Sequence, residues 1–279
     1  MKLKIEHLSV SFSGQKILSD VSMDVAEGAF ISILGPSGCG KSTLLNILAG
    51  LLPLEEGAFY VDDAPVSGAS EHFAYMPQED LLLPWKTIMD NVCLYGAIHK
   101  EKAQAREKAA ELFPVFGLAG YENAYPEELS GGMRQRAAFL RTALCKADIL
   151  LLDEPFGALD VITRSDMQDW LATMRSQLKK TTLLVTHDID EAIYLSDKIL
   201  ILNGKPATIQ KEIVIDEPQR NRLRTNHRYC YQPLPFAFKT LHRPSASCAS
   251  LCPPLHSRLP FGRGSPCRRL GLGHHHLGL

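Results

Sequence analysis

Apolar positions along the chain fall into two kinds of pattern. Phe30-Ile31-Ser32-Ile33-Leu34, Ile149-Leu150-Leu151-Leu152, Leu183-Leu184-Val185-Thr186 and Ile199-Leu200-Ile201-Leu202 are nearly continuous hydrophobic runs. Runs of this kind suit parallel strands covered on both faces, because neither side of the pleat meets water. Helical spacing between them completes βαβ units. The first 60 residues read instead as short strands separated by turns, and residues 58–61 and 72–76 add two strands on either side of a polar turn segment. Residues 43–49 have helical spacing up to Gly50. From about 84 to 145 the pattern turns helical, with 101–113 rich in Ala, Glu, Lys, Gln and Arg, as in a helix with a largely solvated face. The expectation is an α/β core carrying a helical insertion, without internal repeats.

Chemistry enters where one apolar strand ends. Gly35-Pro36-Ser37-Gly38-Cys39-Gly40-Lys41-Ser42 fits the phosphate-loop pattern G-x-x-x-x-G-K-[ST], following a strand and opening a helix. The glycines let backbone N–H groups turn inward around phosphate oxygens, and the helix N-terminus adds positive potential. In that pattern Lys41 reaches the β- and γ-phosphates and Ser42 ligates Mg²⁺. A second acidic element stands at the end of another buried strand, where Ile149-Leu-Leu-Leu leads into Asp153-Glu154. The first carboxylate suits the cation's shell and the next suits orienting or deprotonating an attacking water. Cys39 lies inside the loop, where a helix N-terminus and Lys41 would lower a thiol pKa, but a small residue at a variable loop position is the favoured reading.

Beyond these elements, Leu129-Ser130-Gly131-Gly132-Met133-Arg134-Gln135-Arg136 resembles the LSGGxxQR signature of the ATP-binding subunits of ABC transporters. The other motifs of that family stand around it in the family's order. Gln78, after Tyr75-Met76-Pro77, looks like the Q-loop glutamine, Gly157-Ala158-Leu159-Asp160 like the D-loop, and Thr186-His187-Asp188 like the switch histidine. The resemblance covers about residues 2–217 and implies a RecA-like phosphate-loop α/β core with an antiparallel β subdomain and an inserted α-helical subdomain near 84–145. It also implies roles. Phe12 would stack on adenine, although an aromatic there also suits plain core packing. Residues Gly35 to Thr43 would hold the triphosphate of ATP, while Ser42, Gln78 and Asp153 organise Mg²⁺ and water. Glu154 would act as the base, with His187 holding the γ-phosphate and the water in line. Ser130, Gly131 and Gly132, with Gln135 in the same motif, would close over ATP bound to a second, identical subunit, and Asp160 would belong to the D-loop between them. The glycine pair is expected to allow close backbone approach to a phosphate. Asp188, Asp190 and Glu191 are expected as a solvated acidic helix start rather than as metal ligands.

The stretch 81–92, with Leu83-Pro84-Trp85 and Asp90-Asn91-Val92, is similar to importer ATPases of the nitrate/sulfonate/taurine group, which includes hydroxymethylpyrimidine uptake systems. By that likeness the segment receives a helix of a membrane permease, with Trp85 in the groove, though Trp85 also suits the core of the helical subdomain. The resemblance then implies permease subunits and an extracytoplasmic substrate-binding protein as partners, and a place on the cytoplasmic face of the membrane. The solute is expected to be a sulfonate- or nitrate-like anion or a pyrimidine thiamine precursor. The alternatives are a soluble ABC-type ATPase not coupled to transport, and a non-hydrolysing module, which would be expected to lack Glu154 or His187.

Composition changes the picture at one point. Residues 1–217 hold all 31 acidic and 20 of the 30 basic groups, a net charge of -11, whereas 218–279 carries +10 with no Asp or Glu. The acidic body argues against nucleic acid as a partner. It also lacks an N-terminal apolar leader and any run of 18 apolar residues, so it is expected neither to be secreted nor to span a membrane. Cys39, Cys93 and Cys145 are scattered, as in a reduced protein. The tail is rich in Pro, Cys, His and Arg and has no period. Metal ligation by Cys248, Cys252, His256 and His274 to His276, or a basic arm, are minor alternatives for it. The leading expectation is a reading-frame shift near 218–224, leaving an irregular, disordered tail without a part in the ATP site.

Overall fold

The computed structural model describes residues 1–215; the expectations about the frame, packing and metal ligands of residues 218–279 lie outside the described residues. Strands β1 (Leu3–Phe12), β2 (Gln15–Val25), β4 (Glu56–Val61) and β5 (Ala64–Val66) pair antiparallel. Strands β3 (Phe30–Leu34), β6 (Phe73–Met76), β7 (Ile149–Asp153), β8 (Thr181–Thr186) and β9 (Lys198–Gly204) pair parallel. The two sets form one ten-stranded sheet in the order β5-β4-β1-β2-β10-β9-β3-β8-β7-β6. The joint is β10 (Ala207–Val214), antiparallel to β9 along its length and parallel to β2 through Ala207 beside Leu18.

The continuous apolar runs are explained by two cores, one on each side of the sheet. Ile149 and Leu151 of β7 join Ile31, Ile33, Leu183 and Val185 beneath α1 (Lys41–Leu48). Leu150 and Leu152 face the opposite way, with Phe30 and Leu184, into the core shared with α5 (Gly131–Ala143), α6 (Val161–Leu178) and α7 (Ile189–Leu195). Residues of period two thus serve both layers, and no position is left for a polar face. Between β6 and β7 lie α2 (Ile88–Val92), α3 (Leu94–Ile98), α4 (Lys102–Val115) and α5. Of α4 only Ala109 and Phe113 are buried, in keeping with its Glu- and Lys-rich sequence.

The amino-terminal strands differ from expectation: β1 and β2 are long, ten and eleven residues, rather than short. Register shifts between Ile5 and Leu8, and again up to Ser11, interrupt the pairing. His7 and Asp20 take left-handed backbone, φ 53° and 54°, at these irregularities. Each bulge resets the inside–outside alternation, so one long strand carries the sequence pattern of two short ones. Among the described residues the three cysteines are free, and no helix is long and apolar enough to cross a membrane.

Candidate functional site

The loop 35–40 leaves the C-terminal end of β3 and runs into α1, at the edge where ligands bind in open parallel sheets. Gly40 caps α1 with φ 102°, and a Cβ there would stand 2.8 Å from Leu18 Cδ2 and 2.9 Å from Ile17 Cγ2. Both the left-handed backbone and the packing on β2 therefore require glycine. Pro36, Ser37, Gly38 and Ser42 are exposed, Thr43 is half-buried, and Lys41 is buried with its Nζ donating to the carbonyls of Gly35 and Pro36 at 3.0 Å each. Cys39 is buried, its Sγ directed at the carbonyl of Leu202; burial raises its thiol pKa and Lys41 only opposes this. It is a packing residue, not an activated thiol.

Asp153 and Glu154 meet the loop from the end of β7. Ser42 Oγ donates to Asp153 Oδ1 at 3.0 Å and Tyr75 Oη donates to Asp153 Oδ2 at 3.1 Å. Burial raises the Asp153 carboxyl above its ordinary range, and the two hydroxyls pull it back. Burial and the Asp153 charge hold the Tyr75 phenol well above its usual value, so it stays a donor. Neighbouring strand residues point to opposite faces, yet Glu154 lies at the same site: its carboxylate is 3.8 Å from Lys41 Nζ and accepts from His187 Nδ1 at 3.1 Å. Glu154 has φ 43°, a left-handed conformation costly for a side chain of this kind, and its N–H bonds the Val185 carbonyl. The turned backbone brings two adjacent carboxylates to one place.

Among the described residues no cluster of three His, Cys, Asp or Glu side chains is placed to hold a metal. Ser42 and Asp153 nevertheless offer hard oxygen donors side by side, the set that suits Mg²⁺. One carboxylate and one hydroxyl make an incomplete shell, which fits a cation that arrives already bound to phosphate oxygens.

The remaining expected residues are spread around this centre. Gln78 is exposed just after β6, with Nε2 3.4 Å from where a Cβ on Gly157 would stand, beside Glu154. Phe12 is 42% exposed at the end of β1, leaving its ring accessible. Asp160 caps α6, accepting from the N–H groups of Ile162 and Thr163 and from the Thr163 hydroxyl. Ser130 is exposed and caps α5 through the Met133 N–H. Two members of the signature are packed within the chain. Gln135 is buried on the inner face of α5, and Gly132 is buried because a Cβ there would meet Thr163 Cγ2 at 2.6 Å. Helix packing against α6 favours glycine at 132, whereas the half-buried Gly131 keeps ordinary clearance. The signature helix is also tied to the segment after Gln78. Arg141 donates to the carbonyls of Asp80 and Leu81, and Arg134 Nε lies 3.2 Å from Asp80 Oδ2.

A family model described as ABC transporter matches residues 18–157, from β2 through the phosphate loop and signature to Gly157. The chain belongs to the ABC transporter family. Among its relatives, the cassette is 42% identical over 228 residues to the formylaminopyrimidine import ATP-binding protein ThiZ of Halalkalibacterium halodurans, covering 81% of this chain and 89% of that protein. It is 42% identical over 217 residues to the aliphatic sulfonates import ATP-binding protein SsuB of Bacillus cereus, covering 76% and 86%. The dimeric, post-hydrolysis structure of the ATP-binding cassette MJ0796 bound to ADP and Pi superposes with a TM-score of 0.65 at 29% identity, covering 77% of this chain and 99% of that one.

Three features of the cassette lie outside what its sequence pattern suggested. Tyr75 reaches Asp153 across two strands. Asn91, fully buried, organises the loop before α2: its Oδ1 accepts from Leu83 N–H, and its Nδ2 donates to the carbonyls of Leu83, Lys86 and Thr87. That loop presents Trp85, which is 71% exposed and so is not core. Glu191, expected on a solvated helix start, is 4% exposed with Oε1 lacking a hydrogen-bond partner. Of the acidic trio Asp188 caps α7 and Asp190 is exposed, but the third position of so short a helix faces the sheet.

Burial, then the neighbouring Asp188 charge, pushes the Glu191 carboxyl up to about 8 from 4.5. The folded state therefore binds this proton more tightly than the unfolded chain does. Its stabilising contribution is complete below 4.5 and is lost as pH rises to about 8. Thermal melts should show Glu191→Gln losing less stability than the parent between about pH 5 and about pH 8, by roughly 5 °C in Tm. Parallel Tm profiles would show that Glu191 carries no such coupling.

Proposed function

We propose that this chain is the ATP-hydrolysing subunit of a bacterial importer for a small solute, acting as a head-to-tail homodimer bound to membrane permease subunits. The observation that carries the chemistry is the convergence of Lys41, Ser42, Asp153, Glu154 and His187 at the ends of β3, β7 and β8. Backbone N–H groups of residues 35–43 and the Lys41 ammonium hold the phosphates, and Phe12 takes the adenine ring. Ser42 and Asp153, with Gln78, hold Mg²⁺, which when bound neutralises charge on the phosphate oxygens. Glu154 accepts a proton from the attacking water, and the His187 imidazole, positioned by its bond to Glu154, keeps that water and the terminal phosphate aligned. The exposed Ser130 and the half-buried Gly131, with Gly132 and Gln135 of the same motif, meet the nucleotide of the second subunit, as the dimeric state of the MJ0796 cassette supports. Asp160 lies between the two subunits.

Import is favoured over a soluble ATPase because the relatives are import ATP-binding proteins. The solute class follows the same group, a sulfonate- or nitrate-like anion or a pyrimidine thiamine precursor, delivered by an extracytoplasmic binding protein. It touches the permease and binding protein rather than this subunit, which sits on the cytoplasmic face. The exposed Trp85 on its Asn91-stapled loop supplies the contact for a permease helix. Trp85→Ala should reduce co-purification of the cognate permease by about tenfold, the scale of one interface aromatic. Full recovery of the permease would remove this loop from the coupling surface.

A further inference from the structure

We propose that Tyr75 is a positioning residue of the nucleotide–cation site, its hydroxyl fixing the Asp153 carboxylate so that one oxygen is held for Ser42 and Mg²⁺. The inference rests on the reading of Asp153 as a cation-site residue. It starts from strand register. Tyr75 of β6 pairs with Leu151 of β7 in a parallel ladder, and Asp153 lies two residues further along the same face. Two residues of parallel strand advance about 6.6 Å, close to the reach of a tyrosine from backbone to hydroxyl. The phenol meets Asp153 Oδ2 at 3.1 Å, while Ser42 donates to Oδ1 at 3.0 Å, so both carboxylate oxygens are occupied by hydroxyl donors from different elements.

The division of labour follows from geometry. Asp153 is 5% exposed and ends a strand, so solvent cannot hold its second oxygen. Without Tyr75, a buried carboxylate oxygen would lose its hydrogen bond, and the group would be free to rotate about its single link to Ser42. With Tyr75, Oδ2 is anchored to the sheet and Oδ1 faces the N-terminus of α1. The Ser42 hydroxyl hydrogen is drawn to Asp153, which leaves its oxygen lone pairs for the cation. Tyr75 is bonded to Asp153 and acts through it.

Tyr75→Phe removes only the hydroxyl. In the full chain carrying Glu154→Gln, so that ATP is held rather than hydrolysed, Mn²⁺ binding measured by electron paramagnetic resonance with saturating ATP should weaken about fivefold to tenfold, the loss of about one hydrogen bond. ATP affinity in EDTA should be unchanged, and with Glu154 restored, excess Mg²⁺ should recover most turnover. 4-Fluorophenylalanine at position 75, which fills the volume but cannot donate, should lose the same Mn²⁺ affinity, which separates the hydrogen bond from packing. Unchanged Mn²⁺ affinity in both variants overturns the proposal. Asp153→Asn in parallel tells the two failures apart: if it loses Mn²⁺ affinity while the position-75 variants do not, only the role of Tyr75 fails. If it too binds Mn²⁺ normally, the assignment of Asp153 to the cation fails, and the proposal with it.

Discussion

Glu154→Gln should lower ATP turnover by at least ~10²-fold, the scale of a lost general base, while ATP affinity holds or rises. The amide has the same size, leaves the backbone bond from residue 154 to the Val185 carbonyl in place, and keeps an oxygen to accept from His187. It cannot take a proton from water. It also removes a negative charge 3.8 Å from Lys41, which favours rather than opposes a polyphosphate. Steady-state Mg-ATPase of the full chain beside equilibrium nucleotide binding gives the split. Undiminished turnover would exclude Glu154 as the base and place the proton acceptor on another group.

Lys41→Ala should act earlier, on binding. The Lys41 ammonium is buried and held by the Gly35 and Pro36 carbonyls at 3.0 Å, already inside the loop that receives phosphate. Charge-assisted hydrogen bonds contribute about 1.5–3 kcal/mol each, so ATP affinity should fall by roughly 10–100-fold. The two carbonyls also lose their donor, and the loop loses shape as well as charge. Titration with a fluorescent nucleotide analogue, with a melting curve to verify folding, measures the loss. A change smaller than about threefold would show that the backbone N–H groups alone hold the phosphates.

Much of this site was legible in the sequence because its information is contiguous. The phosphate loop needs glycine where the chain turns left-handed against Ile17 and Leu18, and that need shows as Gly40 beside Lys41. The parallel strands show as unbroken apolar runs because both faces of β3, β7 and β8 are covered. What escaped depends on distant pairing. The bulges at His7 and Asp20 disguised two long strands as several short ones. Tyr75 and Asp153 are 78 residues apart and meet only through the register of β6 on β7. The close packing of Gly132 on Thr163 of another helix is likewise a long-range contact that its motif does not display. Glu191 follows an acidic cap, and composition alone favoured solvent; packing of α7 on the sheet decided otherwise.

The left-handed turn at Glu154 has a bearing on how this protein can change. A glycine would adopt that backbone without penalty, and many folds would gain stability from the exchange. On the proposed role of Glu154 as base, the carboxylate beside Lys41 and His187 is what retains the less comfortable residue. Random drift filtered for stability would therefore erode this position first, and a lineage that ceased to hydrolyse ATP would be free to relax here while the rest of the sheet stayed intact.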